Sequence, residues 1–242
     1  AIQHYLWAKS KAKKLKPEVS EEIDYRCCVA YFNLSEWPKA NESLTAFLKK
    51  YPHSAALEQI TYLQALTQFY QGQIEPSLKL FTDYQKKYPT GVFLPDVQYR
   101  LALIEYGKTP PQFENAIKCC QDWLRTYAQL SNANIRTKIA DIYVLIGDSE
   151  IGLVEEINRQ LSTSTRSRLA DSENVIDKLE KLKDLHTQRS NDAYLRAAKF
   201  GKSNPEALQY SLSKLVPALK AQGRLDLLRD LYLDLYASDK RD

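Results

Sequence analysis

The strongest constraint on this chain is a repeat of 37 residues between Tyr25 and Tyr127. Tyr25, Tyr62 and Tyr99 keep that step, as do Cys28, Ala65 and Ala102, and Phe32, Phe69 and Tyr106. A second set, Leu44 and Phe81, Phe47 and Tyr84, Tyr51 and Tyr88, keeps it too; its third copy falls 39 on, at Cys120, Trp123 and Tyr127. The two extra residues fit into the turn Lys108-Thr109-Pro110-Pro111. Six columns locked to one register mark a unit of two helices that cannot bury its apolar face alone and must stack on its neighbours. The expected fold is all-α: a right-handed α-α superhelix of helix hairpins with a helical C-terminal cap.

The array is expected over 1–161, with a leading helix over 1–14 and repeats at about 19–54, 55–91, 92–130 and 131–161. In the first repeat Tyr25, Cys28, Val29 and Phe32 form one apolar stripe on helix A. Ser20, followed by Glu21 and Glu22, suits a helix start, and Ser35 suits the cap of helix B with Pro38 in its first turn. Pro52 and Pro89 stop the B helices, because proline disfavours helix in the residue before it. The fourth unit is expected to break at Gly147-Asp148 between Ile135–Ile146 and Ile151–Leu161, and Ser162–Ser167 to form a loop. Residues 168–242 are expected to be a helical segment, either a cap or degenerate repeats. Within it Val175, Leu179, Leu182 and His186 share a 4-3-4 spacing, a further helix covers about 190–200, and a last hairpin turns at Gln222-Gly223 with Pro217 late in its first helix.

Little in this sequence points to chemistry. The three histidines, His4, His53 and His186, have no second histidine or cysteine at ligand spacing. The seven glycines are scattered and form no phosphate loop, and there is no GxSxG. Acidic pairs such as Glu21-Glu22 and Glu155-Glu156 read as helical surface. The four cysteines form two adjacent pairs, Cys27-Cys28 and Cys119-Cys120, which lack CxxC spacing and share columns with Ala65 or with Leu44, so they read as buried packing residues with free thiols. No catalytic, cofactor-binding or metal-ligating residue is expected. No window is apolar enough for a membrane span. A start at Ala1 without methionine suits a processed or excised form. Of the net charge of +4, five units lie in Lys9, Lys11, Lys13, Lys14 and Lys16. This run reads as a solvated helix end, with nucleic acid or an anionic membrane surface as the alternative partner.

At its repeat columns the chain resembles the tetratricopeptide repeat family. Ala40 and Ser77 occupy the small helix B position, Cys28, Ala65 and Ala102 the small helix A position, and Leu44/Phe81, Phe47/Tyr84 and Pro52/Pro89 follow at the family's relative spacings. The likeness covers about 20–161 and departs in its period, 37 rather than the usual 34, and in lacking a tryptophan early in helix A. The B-helix endings Phe47–Pro52 (Phe-Leu-Lys-Lys-Tyr-Pro) and Tyr84–Pro89 (Tyr-Gln-Lys-Lys-Tyr-Pro) resemble those of the bacterial cell-envelope branch, which implies a non-catalytic scaffold in the periplasm or envelope.

In such solenoids the A helices line a concave groove, where side chains not used in packing can grip a peptide. The expected partner-binding residues are Asp24, Tyr31, Thr61, Gln64, Gln68, Gln98 and Glu105, the last two of the column Tyr31-Gln68-Glu105 being 37 apart. The expected partner is a protein or peptide segment, with neither a small-molecule substrate nor nucleic acid. A regulatory domain attached to a larger protein is the further alternative.

Overall fold

The computed structural model describes residues 2–11, 16–130, 132–164 and 172–239. Eleven α-helices and no strands are found among them. Lys13 and Lys14 of the lysine run, and residues 165–167 of the expected loop, lie outside the described residues. The chain forms two compact units, Ala1–Leu101 and Ala102–Asp242.

The first unit holds α1 (Ile2–Lys11), α2 (Pro17–Asn33), α3 (Trp37–Lys50), α4 (Leu57–Tyr70), α5 (Ile74–Lys87) and the start of α6 (Leu94–Gly107). Each of α1 to α4 packs on the next, and α2 also packs on α4. The local punctuation explains the element bounds. Pro17 and Pro38 stand in the first turns of α2 and α3, where a missing N–H costs nothing. Tyr51 and Tyr88, each before a proline, leave the helix at φ −126, ψ 64 and φ −125, ψ 65, one conformation repeated after 37 residues.

Ser35 does not cap α3. It takes φ 57, the left-handed conformation that Gly72 takes at φ 72 one repeat later. Both turns close with the same bonds: Ser35 N to Phe32 O and Glu36 N to Tyr31 O, then Gly72 N to Phe69 O and Gln73 N to Gln68 O. Nor does Ser20 open α2. It lies inside the helix, and its hydroxyl meets Tyr51 Oη at 3.1 Å.

The repeat columns form the core. Cys28, Ala40, Leu44, Phe47, Ile60 and Leu63 make one buried cluster, and Ala65, Ser77 and Phe81 are each fully buried one step on. Small residues at Cys28, Ala40, Ala65 and Ser77 let helices approach, and each buried Leu or Phe contributes about 2 kcal/mol. No disulfide joins any of the four cysteines. Burial pushes the Cys28 thiol up to about 11 and raises Cys120 further, which keeps both protonated.

The second unit contains α7 (Phe113–Tyr127), α8 (Ala133–Ser164), α9 (Ser172–Lys199), α10 (Pro205–Ala221) and α11 (Leu225–Asp239). Here the sequence reading needs correction. The expected break at Gly147-Asp148 is absent: α8 runs unbroken for 32 residues and carries on through Ser162, Thr163 and Ser164. Likewise the expected pair of helices around 175–186 and 190–200 is one helix, α9, of 28 residues. Gly147 and Gly152 serve close packing, not turning. A Cβ on Gly147 would lie 2.7 Å from the Tyr194 ring, and one on Gly152 would overlap the Phe113 ring. Paired residues on α8 and α9 run in opposite senses (Glu150 with His186, Gly147 with Ser190, Tyr143 with Arg196), so the two helices form one long antiparallel hairpin. The final hairpin follows expectation, with Asn204 capping α10, Pro217 inside it, and Gly223 in the connecting turn at φ 69.

Candidate functional site

Six of the seven residues expected to bind a partner lie in the first unit and Glu105 lies in the second. Most are already engaged within the array. Asp24 on α2 is 13% exposed at its side chain, and its Oδ2 accepts from Lys50 Nζ at 2.8 Å and Tyr51 Oη at 2.8 Å. It ties α2 to the end of α3, and its bond raises the Lys50 ammonium above the usual value. Gln64 Nε2 donates to Thr45 Oγ1 at 3.2 Å, and Gln68 Nε2 donates to Asn41 Oδ1 at 2.7 Å, so both glutamines of α4 hold the preceding α3. Thr61 Oγ1 donates to Leu57 O in its own helix. Tyr31 packs on the Cys28–Leu63 cluster, with the Lys39 ammonium 6.0 Å from its ring. Gln98 is half-buried on α6. Glu105 takes Lys108 Nζ at 2.6 Å and Asn115 Nδ2 at 3.5 Å. Long polar side chains on tightly packed helices find partners across the seam, because a buried donor without one costs about 1–3 kcal/mol.

A second set of ties follows the repeat. Tyr25 Oη donates to Gln59 Oε1 at 2.7 Å, and Tyr62 Oη donates to Asp96 Oδ2 at 2.7 Å, each pair 34 residues apart. Glu58 Oε1 accepts from Tyr84 Oη at 2.7 Å and from Val92 N at 2.7 Å, closing the loop after α5. Gly91 is required there, since a Cβ would lie 2.6 Å from both oxygens. Two aromatics of neighbouring helices meet each other: Trp37 stacks on Tyr70 with centroids 5.1 Å apart, and the Arg100 guanidinium lies 5.6 Å from the Tyr70 ring.

One open feature with convergent polar groups lies in the second unit. Three helices each contribute a stripe: Glu114, Ile117, Gln121 and Leu124 from α7; Tyr143, Ile146, Glu150 and Leu153 from α8; and His186, Arg189, Ala193 and Arg196 from α9, with Asp192 beside them. They line a cleft of about 640 Å³. Its floor is apolar apart from one hydrogen-bonded acidic group. Glu150 is 3% exposed, and its Oε2 lies 2.5 Å from Nδ1 of His186. Beneath that pair the α8–α9 seam is held by Ser190 Oγ donating to Gly147 O at 3.2 Å and Tyr194 Oη donating to Asp148 Oδ1 at 2.6 Å. Tyr210 Oη also donates to Asp148 Oδ1, at 3.0 Å. Burial and then Asp148 push Tyr210 up to about 12 and Tyr194 higher, so both hydroxyls stay protonated donors.

A histidine oriented by a buried carboxylate has the geometry of a base and its orienting group. The cleft lining holds no serine, threonine or cysteine for such a base to activate. Among the described residues no cluster of three or more His, Cys, Asp or Glu could hold a metal ion, and no helix is long and apolar enough to cross a membrane. What the cleft offers is an apolar floor with a charged rim, suited to recognition.

Glu150, Arg189 and Arg196 were not among the residues singled out from sequence, and His186 appeared there only in the 4-3-4 series and as a histidine without a ligand partner. One signal was available: Glu150 falls within the apolar series Ile139, Ile142, Ile146 and Ile157, an acid on the buried side of a helix.

The tetratricopeptide repeat family model matches residues 29–54 and 61–91, the stretches that contain α3 and α5 with the end of α2 and most of α4. No curated protein matches the chain.

Proposed function

We propose that the protein is a non-catalytic scaffold that binds a segment of a partner protein, and that the α7–α8–α9 cleft receives it. Tetratricopeptide repeats generally mediate protein–protein interaction, and two copies are matched here. The single observation that carries the reading is the cleft itself: apolar Ile117, Ile146, Leu153 and Ala193 beneath exposed Glu114, Gln121, Arg189 and Arg196. An apolar centre inside a polar rim is the anatomy of a protein-recognition site. The reading places the protein in a bacterial cell envelope only through the B-helix endings Phe47–Pro52 and Tyr84–Pro89, and that placement is part of the proposal.

The test is photo-crosslinking in the source cell. A photoreactive amino acid at Gln121, in the cleft rim, should yield a discrete adduct with one protein, whereas the same group at exposed Lys79 on α5 should not. Equal labelling from both positions, or none from Gln121, sinks the reading. If the adduct survives Leu153→Arg in the cleft but is lost in the pair Tyr31→Ala with Gln68→Ala, recognition belongs to the A helices instead.

A further inference from the structure

A second pocket, of about 270 Å³, lies in the second unit and shares no lining residue with the cleft. Four aromatic side chains line it: Tyr106 from α6, Phe113 from α7, Tyr194 from α9 and Tyr210 from α10. They meet in pairs, Tyr106 with Phe113 at 5.6 Å between ring centroids and Tyr194 with Tyr210 at 6.4 Å. A different stripe of α8 from the one in the cleft completes the lining, with Asp148, Ile151, Gly152 and Glu155 at i, i+3, i+4 and i+7.

Two carboxylates therefore stand among aromatic rings, and both keep acceptor capacity. Asp148 is half-buried, and its Oδ1 takes both tyrosine bonds, from Tyr194 at 2.6 Å and Tyr210 at 3.0 Å. Its Oδ2 accepts from no side chain among the described residues. Glu155 is exposed and makes no ion pair among them. The described lining holds one cation, Lys214, which pairs with neither carboxylate; its ammonium lies 5.3 Å from the centroid of the Tyr210 ring. The tyrosines report the field inside. Burial first, and then Asp148 and Glu155, raise Tyr106 above the ordinary phenol value. Carboxylates that oppose the loss of a proton there favour a cation in the same space.

Independently of the scaffold reading, we propose that this pocket is a binding site for an alkylammonium group, the end of a lysine side chain on a partner protein or of a free primary amine. The ammonium donates to Asp148 Oδ2 and Glu155 in charge-assisted hydrogen bonds. Its methylenes lie against Phe113, Ile151 and the tyrosine rings, whose negative faces also attract the charge. The size suits one short chain with a charged end, since pockets for drug-sized ligands hold about 300–1,000 Å³. Lys214 is the chain's own competitor, an alkylammonium already placed at one of these rings.

Ligand-observed NMR at pH 7 tests this with four probes: n-pentylamine, Nα-acetyl-lysine N-methylamide, 1-pentanol and hexanoate. At least one of the two amines should bind about tenfold more tightly than pentanol, and hexanoate should not bind. Asp148→Asn keeps Oδ1 to accept from the tyrosines but removes the charge, and should weaken the amine about tenfold. Glu155→Gln should weaken it about two- to fivefold and Lys214→Gln should tighten it by about as much. Both of these side chains are exposed, so the fold should persist, which thermal melting checks. If Asp148→Asn does not fold, the opposite signs of the other two substitutions decide alone. Blocked lysine binding at least as well as pentylamine supports a partner's lysine as the ligand, and pentylamine binding alone supports a free amine. Pentanol binding as tightly as the amines, hexanoate binding, no binding of either amine, or an affinity that ignores the substitutions overturns the proposal. None of these outcomes bears on the Gln121 adduct, which tests the scaffold reading at the other site.

Discussion

Tyr62 repeats the bond of Tyr25. Each hydroxyl donates at 2.7 Å to a side chain 34 residues on, Asp96 in one case and Gln59 in the other. The acceptor is charged only for Tyr62. Tyr62→Phe is therefore expected to destabilise the first unit by about 1.5–3 kcal/mol and Tyr25→Phe by about 1 kcal/mol. Urea denaturation of both variants measures the difference. Equal losses would show that the charge on Asp96 adds nothing.

The same tyrosines predict an alkaline limit. Burial, reinforced by the neighbouring carboxylates Asp96 and Asp148, raises Tyr62 and Tyr194 well above the ordinary phenol value. A raised folded-state value means that the native chain keeps a proton which the unfolded chain releases. The stabilisation is full below about pH 10 and declines above it, by up to about 1.4 kcal/mol per pH unit for each residue. Denaturation midpoints should be level from pH 7 to 9 and fall from 10 to 11. Tyr62→Phe with Tyr194→Phe should flatten that fall.

Ser35 occupies a position that its repeat partner fills with glycine. A left-handed conformation costs a residue with a Cβ about 1–2 kcal/mol, part of which serine recovers by local hydrogen bonding. Ser35→Gly should raise stability by about 0.5–1 kcal/mol, and Gly72→Ala should lower it by about 1 kcal/mol. Opposite signs in thermal denaturation support the equivalence of the two turns. A loss in both variants would reject it.

Gly147 reverses the usual rule for helix interiors. Replacing an interior helical glycine by alanine ordinarily stabilises by about 1 kcal/mol. Here the added carbon would meet the Tyr194 ring, which is 2% exposed and held by its bond to Asp148. Gly147→Ala should destabilise by about 1–3 kcal/mol, the cost of overpacking. A stabilised variant would mean that the ring yields freely.

The buried pair on the cleft floor predicts an asymmetry between two substitutions. His186→Ala leaves the Glu150 carboxylate without its partner and should cost about 3 kcal/mol, whereas Glu150→Gln keeps a hydrogen-bonding group and should cost about 1 kcal/mol. Guanidinium denaturation of the two variants decides it. A larger loss for Glu150→Gln would show that His186 depends on a full negative charge.

The repeating half was legible because its burial is decided by position within a short period. Ala40 and Ser77, or Ala65 and Ala102, are enclosed for the same steric reason in successive copies. The long hairpin was not legible, because a glycine inside a helix and a glycine ending one look alike in sequence. What separates them at Gly147 and Gly152 is the approach of Tyr194 and Phe113, residues 47 and 39 positions away. The polar column suffered from a related difficulty. Sequence marks Asp24, Gln64 and Gln68 as polar residues of A helices, but whether they are spent depends on Lys50, Tyr51, Thr45 and Asn41, all carried by the neighbouring B helix. The cleft needed the relative register of α8 and α9, which the expected break at Gly147 concealed.

The bonds of Tyr25 and Tyr62 close loops of 34 residues, each complete as soon as the next A helix, α4 or α6, has begun. Loop-closure entropy is then much the same for every step, and the search does not lengthen as the chain grows. In the second unit the contacts between Thr137 and Ser203, and between Asp141 and Asn204, close 66 and 63 residues. Those must wait until α8 and α9 have both been synthesised. On the ribosome the first unit is set to assemble hairpin by hairpin while the second is still being made, so the order of translation is also the order of assembly.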